Sequence, residues 1–267
     1  MVHRRAEYMV TLRMYSNRTL AARCVNSQGK MDSREADGVT NLFITGEEYD
    51  NIFGAWDFHR VAGMVSEVDV PLLGCDKNGY GRWPEEMNYT TFVGGVSDGK
   101  FGAAAMNLSS GTLHVQNGWF FLEHGCVHLG AGLRCSTGSP VATSLAHRRL
   151  DVAEVYVEGS GAAATPLGEY NYTAKAAPSW IWMGAAGKSG QAYHPLYGSA
   201  GGLQGDPSVL RLRTGNESGN WSRVGTGHGI ETLAMFQLSF ELGMCAEAST
   251  GFCLRCSTER VARLDAE

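Results

Sequence analysis

Proline is scarce in this chain, 7 residues of 267, against 35 glycines. Few Pro with many Gly excludes a Pro-rich extended or low-complexity chain and favours many turns and tight strand packing. No apolar run reaches the ~18 residues that a membrane-spanning helix needs. The net charge is −5, and no Lys/Arg cluster of the kind nucleic acid demands is present. Neither nucleic acid nor membrane is therefore an expected partner. An acidic or sulfated polysaccharide stays open, because a local groove can be basic on an acidic protein. No amphipathic pattern outlasts two helical turns. Met1-Val2-His3-Arg4-Arg5 leads into a polar alternating segment and not into the apolar core of a signal peptide.

Chemical motifs are equally thin. Cys253-Leu-Arg-Cys256 has the spacing of half a zinc site, and the second half is missing. His124 and His128 are four apart in a hairpin, where that spacing does not bring them onto one helical face, and they read as turn and strand residues. Gly184 to Gly190 lacks the Lys-Ser/Thr ending of a phosphate loop. No Ser, His and Asp stand in the ordered context of a hydrolase triad. We expect no metal and no cofactor. The seven cysteines (24, 75, 126, 135, 245, 253 and 256) read as buried thiols or one or two disulfides, with an odd one left over.

What the chain does have is strand pattern. Asn117 to Gly138 is its centre: the apolar run Trp119 to Leu122, the turn Glu123-His124-Gly125, then the run Cys126 to Leu129 before Gly130-Ala131-Gly132. Two short runs around a Gly-containing turn predict a hairpin, and their lack of polar alternation predicts strands covered on both faces. Tyr8 to Tyr15 alternates. Phe92 to Val96 and Phe101 to Met106 flank the turn Ser97-Asp98-Gly99-Lys100. Trp180 to Met183 and Val209 to Leu212 are short strands, Phe236 to Leu242 is the cleanest alternation, and Gly251 to Cys256 is the last strand. Asn26 to Gly38 reads as a loop, and Glu47 to Gly63 as a helical turn or irregular connection. The spacing predicts an all-β fold, a large sandwich of mostly antiparallel strands, and no linker divides 1–267.

Six Asn-x-Ser/Thr triplets occur, at Asn17, Asn88, Asn107, Asn171, Asn216 and Asn220. They are candidate glycosylation sites and suggest an extracellular, secreted protein. On that reading the true N-terminus, with its signal peptide, lies outside this sequence.

Several stretches in order resemble polysaccharide lyase family eight, the chondroitin, hyaluronate and xanthan lyases. Met14-Tyr15-Ser16-Asn17-Arg18-Thr19 is similar to the family's entry strand and its Arg-Thr motif. Asp37-Gly38-Val39-Thr40-Asn41 is similar to its Asp-Gly step. Gly46 to Ile52 and Trp56-Asp57-Phe58-His59-Arg60-Val61-Ala62-Gly63 resemble its Tyr-rich segment and Trp…Pro-Gly motif, nearest the chondroitin AC type. Trp119 to Gly132 looks like its Trp-Phe-Phe…Leu-Gly-Ala-Gly strand pair, and Arg148-Arg149-Leu150 like the motif that follows. Asn220 to Gly243 looks like a later stretch whose signature His is absent here.

The resemblance implies the central super-sandwich domain of a lyase that cleaves an acidic polysaccharide such as chondroitin or hyaluronan by β-elimination. It also implies that the catalytic Asn, His, Tyr and Arg belong to an N-terminal α/α-toroid domain absent from this sequence. This chain would then carry no catalytic residue and be inactive alone. By family position Asn26 and Gln28 would face a sugar; Trp56 is either a ring-stacking residue or a core aromatic among its Phe and Tyr neighbours, and Arg60 either meets a carboxylate or sulfate or forms a surface ion pair. Two departures stand out: Cys24 aligns with a cleft-facing Glu, and Ala62-Gly63-Met64 replaces Pro-Gly-Thr. The alternative function is a non-catalytic carbohydrate-binding or structural sandwich.

Overall fold

The computed structural model describes residues 1–19, 24–72, 74, 90–150, 154–158, 168–173, 178–184, 189–195, 209–245 and 250–260. In chain order the strands are β1 Val2–Arg4, β2 Met9–Leu12, β3 Thr40–Phe43, β4 Val65–Glu67, β5 Val93–Ser97, β6 Gly102–Ser110, β7 Leu113–Phe121 and β8 Gly125–Arg134. There follow β9 Pro140–Arg149, β10 Glu154–Val157, β11 Gly168–Thr173, β12 Ile181–Gly184, β13 Ser189–Pro195, β14 Val209–Asn220, β15 Ile230–Met244 and β16 Thr250–Arg260. Among the described residues the helical elements are single 3₁₀ turns, at Asp32–Arg34, Ile52–Gly54 and Trp221–Arg223.

Every pairing is antiparallel. A small sheet runs β1-β2-β3, an eight-stranded sheet β10-β12-β13-β16-β8-β7-β6-β5, and a five-stranded sheet β11-β14-β15-β9-β4. The two large sheets share one core. Met106, Leu113, Trp119, Phe121 and Leu133 come from the first, and Leu210, Phe236, Leu238, Phe240 and Leu242 from the second. All ten are fully or almost fully buried, as side chains on the facing surfaces of two packed sheets must be. Cys135 and Cys245 form a disulfide that ties the chain after β8 to the end of β15. Cys24 and Cys126 are disulfide-bonded as well. The register sets Cys256 opposite Cys126 and Cys253 opposite Leu129 on neighbouring strands.

The central hairpin forms as the sequence predicts, with Phe121 opposite Cys126 and Trp119 opposite His128. Its coverage on both faces is a correction. Trp119 and Phe121 point into the core, while Phe120 is 44% exposed, Leu122 40% and Leu129 37%. A strand's side chains alternate whatever their polarity, so the contiguous run of apolar residues puts half of them outside. On the other large sheet β15 is covered on both faces. Its alternation sends Phe236, Leu238 and Phe240 inward, yet Met235, Gln237 and Ser239 on the other side are just as buried.

The cover over β15 is the irregular segment 47–64, with Ile52, Trp56, Phe58, Val61 and Met64 in a second apolar cluster that also takes in Met235. Glu48 fixes the segment's start. Its Oε1 accepts from the backbone N–H groups of Ile44 and Thr45, each at 2.8 Å, and its Oε2 from Gly46 N–H at 2.9 Å. Arg148 adds positive charge at 3.8 Å. Burial pushes this carboxyl up, but the amide donors outweigh it and the group ends below its ordinary value. Where the segment meets β14 no side chain fits: a Cβ on Gly219 would lie 1.8 Å from the carbonyl oxygen of Gly54.

Candidate functional site

The loop after residue 24 is built on a two-residue turn. Asn26 and Ser27 have φ of 51° and 60°, and Val25 and Gln28 exchange both backbone hydrogen bonds, at 3.2 and 3.0 Å. Left-handed conformation at both central positions suits Asn and gives the twist a tight hairpin needs. The loop is pinned to a distant part of the chain. Gln28 Nε2 donates to Thr226 Oγ1 at 2.6 Å, and Lys30 Nζ donates to the carbonyls of Ser222 and Gly225 at 3.1 and 2.8 Å. Those carbonyls belong to the turn Trp221–Arg223 and its continuation, whose N-terminus Asn220 caps by accepting from Ser222 N–H at 2.9 Å. Trp221 itself lies against the cover segment, its indole 3.4 Å from where a Cβ on Gly54 would stand.

Between loop, cover segment and small sheet lies a cavity of about 560 Å³, within the usual size of a small-ligand site. Phe53, Trp56, Phe58 and Trp221 supply its aromatic wall. Trp56 meets Phe53 and Phe58 edge to face at 5.5 and 5.7 Å, and its indole N–H donates to the carbonyl of His147 at 3.2 Å. The polar lining includes Arg13, Asp32, Arg34, Glu35 and Asn41, with Arg13 paired to Glu35.

Of the residues singled out from the sequence, Trp56 belongs to this wall, and it is 5% exposed. Asn26 and Gln28 stand exposed on the loop beyond Gly29, which itself lines the cavity. Arg60 is elsewhere. Its Nη2 donates to Glu241 Oε2 at 3.1 Å and its Nε lies 4.0 Å from Asp57, over the outward side of β15. Trp56 and Arg60 are neighbours in sequence whose side chains part company. Cys24 is 5% exposed and its sulfur is in a disulfide, so no acid or thiol takes the position of the family's cleft Glu. Asn17, Asn171 and Asn216 are exposed, Asn107 is half-buried within β6, Asn220 is the cap just described, and Asn88 lies outside the described residues. Glu67, Cys135 and Cys245 approach one another, but the two sulfurs are bonded to each other and offer no thiolate to a metal.

Arg34, Asn41 and Trp221 are among the lining residues that sequence reasoning did not single out as site residues. Arg34 and Asn41 lie near the loop's family motif, with nothing in their spacing to mark them. Trp221 follows a capping Asn, and an aromatic held on a capped turn is the signal that points to it.

Comparison with known proteins fits this architecture. The description "Polysaccharide lyase family 8, super-sandwich domain" matches residues 1–257. The chain belongs to that family. It is 28% identical over 235 residues to the chondroitinase-AC of Pedobacter heparinus, covering 87% of this chain and 30% of that protein. Among solved structures, a Paenibacillus xanthan lyase superposes with a TM-score of 0.80 at 20% identity, and a chondroitinase AC lyase with 0.78 at 23%. Each likeness takes in 99% of this chain but only 25% and 36% of the respective solved chains. The chain thus spans about a third or less of these relatives' length, and at such identities the superpositions show the fold.

Proposed function

We propose that this chain is the β-sandwich wall of a secreted lyase that cleaves an acidic polysaccharide of the chondroitin or hyaluronan class by β-elimination. The observation that carries the reading is the family match over 1–257, reinforced by 28% identity to a chondroitinase-AC across most of the chain. In the reaction a base takes the C5 proton of a uronate residue. The C4–O bond then breaks as the C4=C5 double bond forms, and an acid protonates the leaving glycosidic oxygen. Positive charge or hydrogen bonds on the uronate carboxylate stabilise the developing carbanion. Within the described residues of this wall we assign no proton-transfer set, and we place that set on a helical domain contributed by a longer protein. The part we give to this chain is to hold the sugar strand, through Trp56 and the loop bearing Asn26 and Gln28. The disulfides at Cys24, Cys126 and Cys135 support an oxidising, extracellular setting.

The test is absorbance of the unsaturated uronate product. The 267-residue chain gives none on chondroitin or hyaluronan, and a longer protein that includes an upstream helical domain gives a rise on at least one of them. Turnover by the short chain alone, or none by the longer protein on any acidic glycan, overturns the proposal. A second reading, a sugar-binding sandwich without catalysis, is favoured by one observation: Cys24, at the position of the cleft Glu, is locked in a disulfide. Glycan binding by the longer protein without turnover selects that reading.

A further inference from the structure

We propose that Glu67, Cys135 and Cys245 form a zinc site once the Cys135–Cys245 disulfide is reduced. One seam between the two large sheets is then closed by a covalent bond in the oxidised chain and by a metal ion in the reduced one. The proposal stands apart from the polysaccharide reading, since none of these side chains lines the cavity.

The three ligand atoms lie within 4.8 Å of one another, and all three residues are buried. They come from different strands: Glu67 ends β4, Cys135 follows β8 and Cys245 follows β15. The chain around them is fixed. Glu67 pairs with Val141 on β9, Cys245 N–H donates to the carbonyl of Ser139 at 2.7 Å, and Ser136 N–H donates to Thr112 Oγ1 at 3.2 Å. Zinc binds thiolate sulfur at roughly 2.3 Å and carboxylate oxygen at roughly 2.0 Å, which sets a tetrahedral sulfur-to-oxygen edge of about 3.5 Å. Cys245 Sγ stands 3.3 Å from Glu67 Oε1, so that edge already exists. Thr137 N–H donates to the same sulfur at 3.4 Å, the kind of outer contact that orients a metal-bound ligand.

What points to a cation is the placement of Glu67. It is 2% exposed, and among the described residues no lysine, arginine or histidine forms an ion pair with it. Thr137 Oγ1 donates to its Oε1 at 2.6 Å. The Cys245 sulfur beside that oxygen has no proton while the disulfide stands, so two electron-rich atoms face each other. Buried acidic groups are ordinarily paired or bound to metal. Reduction sharpens the need, because two thiols then join the carboxyl in one closed pocket. The step balances. A dithiol gives two electrons and two protons to the S–S bond and is itself oxidised to a disulfide, and zinc then displaces the two thiol protons. Two sulfurs and one oxygen suit zinc over magnesium or calcium, and the fourth position is left to water.

The experiment takes the whole 267-residue chain, either oxidised or reduced with a water-soluble phosphine under nitrogen. Each form is titrated with cobalt(II), a coloured stand-in, and then with zinc. We expect the reduced chain to show the thiolate charge-transfer band and the strong visible bands of tetrahedral cobalt, and zinc to bleach them. The oxidised chain shows neither. Cys245→Ser abolishes the bands, and Glu67→Gln weakens cobalt binding about tenfold or more. The double variant Cys253→Ser with Cys256→Ser, which removes the other closely spaced cysteine pair, binds as the wild type does. A reduced, folded chain without these bands overturns the site. So does binding that survives both Cys245→Ser and Glu67→Gln unchanged, or that the oxidised chain shows equally. If reduction unfolds the chain, circular dichroism decides the matter: zinc restores the folded spectrum of the wild type and not that of Glu67→Gln. Restoration of both alike, or of neither, overturns the proposal.

Discussion

The two large sheets treat their outward faces in opposite ways. On the eight-stranded sheet the outer positions of β5 to β8 carry Val96, Phe120 and Leu129, large apolar groups left in solvent. On the five-stranded sheet the outer positions of β15 and β9 carry Gln237, Ser239 and His147, which are polar and fully covered. Apolar composition therefore does not decide which strand is buried. What decides is whether another part of the chain lies across the sheet, and here segment 47–64 crosses only the second. The same segment supplies Phe53, Trp56 and Phe58 to the cavity. A covered polar face and a candidate sugar site thus come from one piece of irregular chain.

The sharpest way to break the contrast is to remove the side chain that seals the covered face. Trp56 touches Phe53, Phe58, Tyr49 and His147 and bonds to the carbonyl of His147. Trp56→Ala leaves a large void and an unpaired carbonyl, so we expect a loss of about 4 kcal/mol in urea unfolding. A loss below about 1 kcal/mol would mean that the cover is held by its ends alone.

Acid sharpens the comparison next, because each region buries a neutral histidine. His147 lies under the cover, where burial holds it down to about 4 against the upward pull of Asp57. His128 lies in the central hairpin, stacked on Trp119 with ring centres 4.8 Å apart and hydrogen-bonded to Asn117 at 3.1 Å, and burial holds it down to about 3. Both ordinary values are 6.5. The unfolded chain takes up protons below that value before the folded chain does, so stability is full above pH 6.5 and falls as pH drops toward the folded values. Each histidine contributes a loss on the order of 3 kcal/mol over that range. Replacing either by Gln should flatten the stability profile between pH 6.5 and 4 by about one proton. An unchanged profile would mean that the ring in question is not buried neutral.

How far all this could be read from sequence depends on which links are local. Trp119 to Leu129 pairs within itself around one turn, so its hairpin and register are legible in the order of apolar residues and Gly. The face that Phe120 and Leu129 present is not, since solvent on that side depends on what the rest of the chain covers. The alternation of Phe236 to Leu242 marks a strand correctly but suggests a solvated side for Gln237 and Ser239, which segment 47–64 buries from some 180 residues upstream. The resemblance to the lyase family supplies the super-sandwich and the loop at Asn26 and Gln28. The cavity needs Trp56 and Trp221 together, and what brings their segments together is the close approach of Gly219 and Trp221 to Gly54, a contact with no signature in composition or spacing.

Gln237 gives a prediction of opposite sign. It is 1% exposed, and neither its Oε1 nor its Nε2 has a hydrogen-bond partner; across the ladder neither ring nitrogen of His147 makes a hydrogen bond, its Nε2 lying 3.8 Å from the Glu217 carboxylate. An orphaned amide costs more than an apolar group of the same shape. Gln237→Met keeps the length of the side chain and drops the dipole, so it should raise stability by about 1 kcal/mol. A loss instead would show that the amide is satisfied in solution and that the covered face is wet.

The smallest effect belongs to the open face. Phe120 is 44% exposed and sits between the small or half-covered cross-strand neighbours Ala103 and Val127. Phe120→Ser removes an outer ring that covers little, so stability should move by no more than about 0.5 kcal/mol. The change sharpens the comparison because the adjacent inward residue, Trp119→Ala, should cost several times as much, about 4 kcal/mol, through the void it leaves in the shared core. If Phe120→Ser instead costs as much as Trp119→Ala at high protein concentration and little on dilution, the outer face is buried against a second copy. The contrast between the sheets would then be one between intramolecular and intermolecular cover.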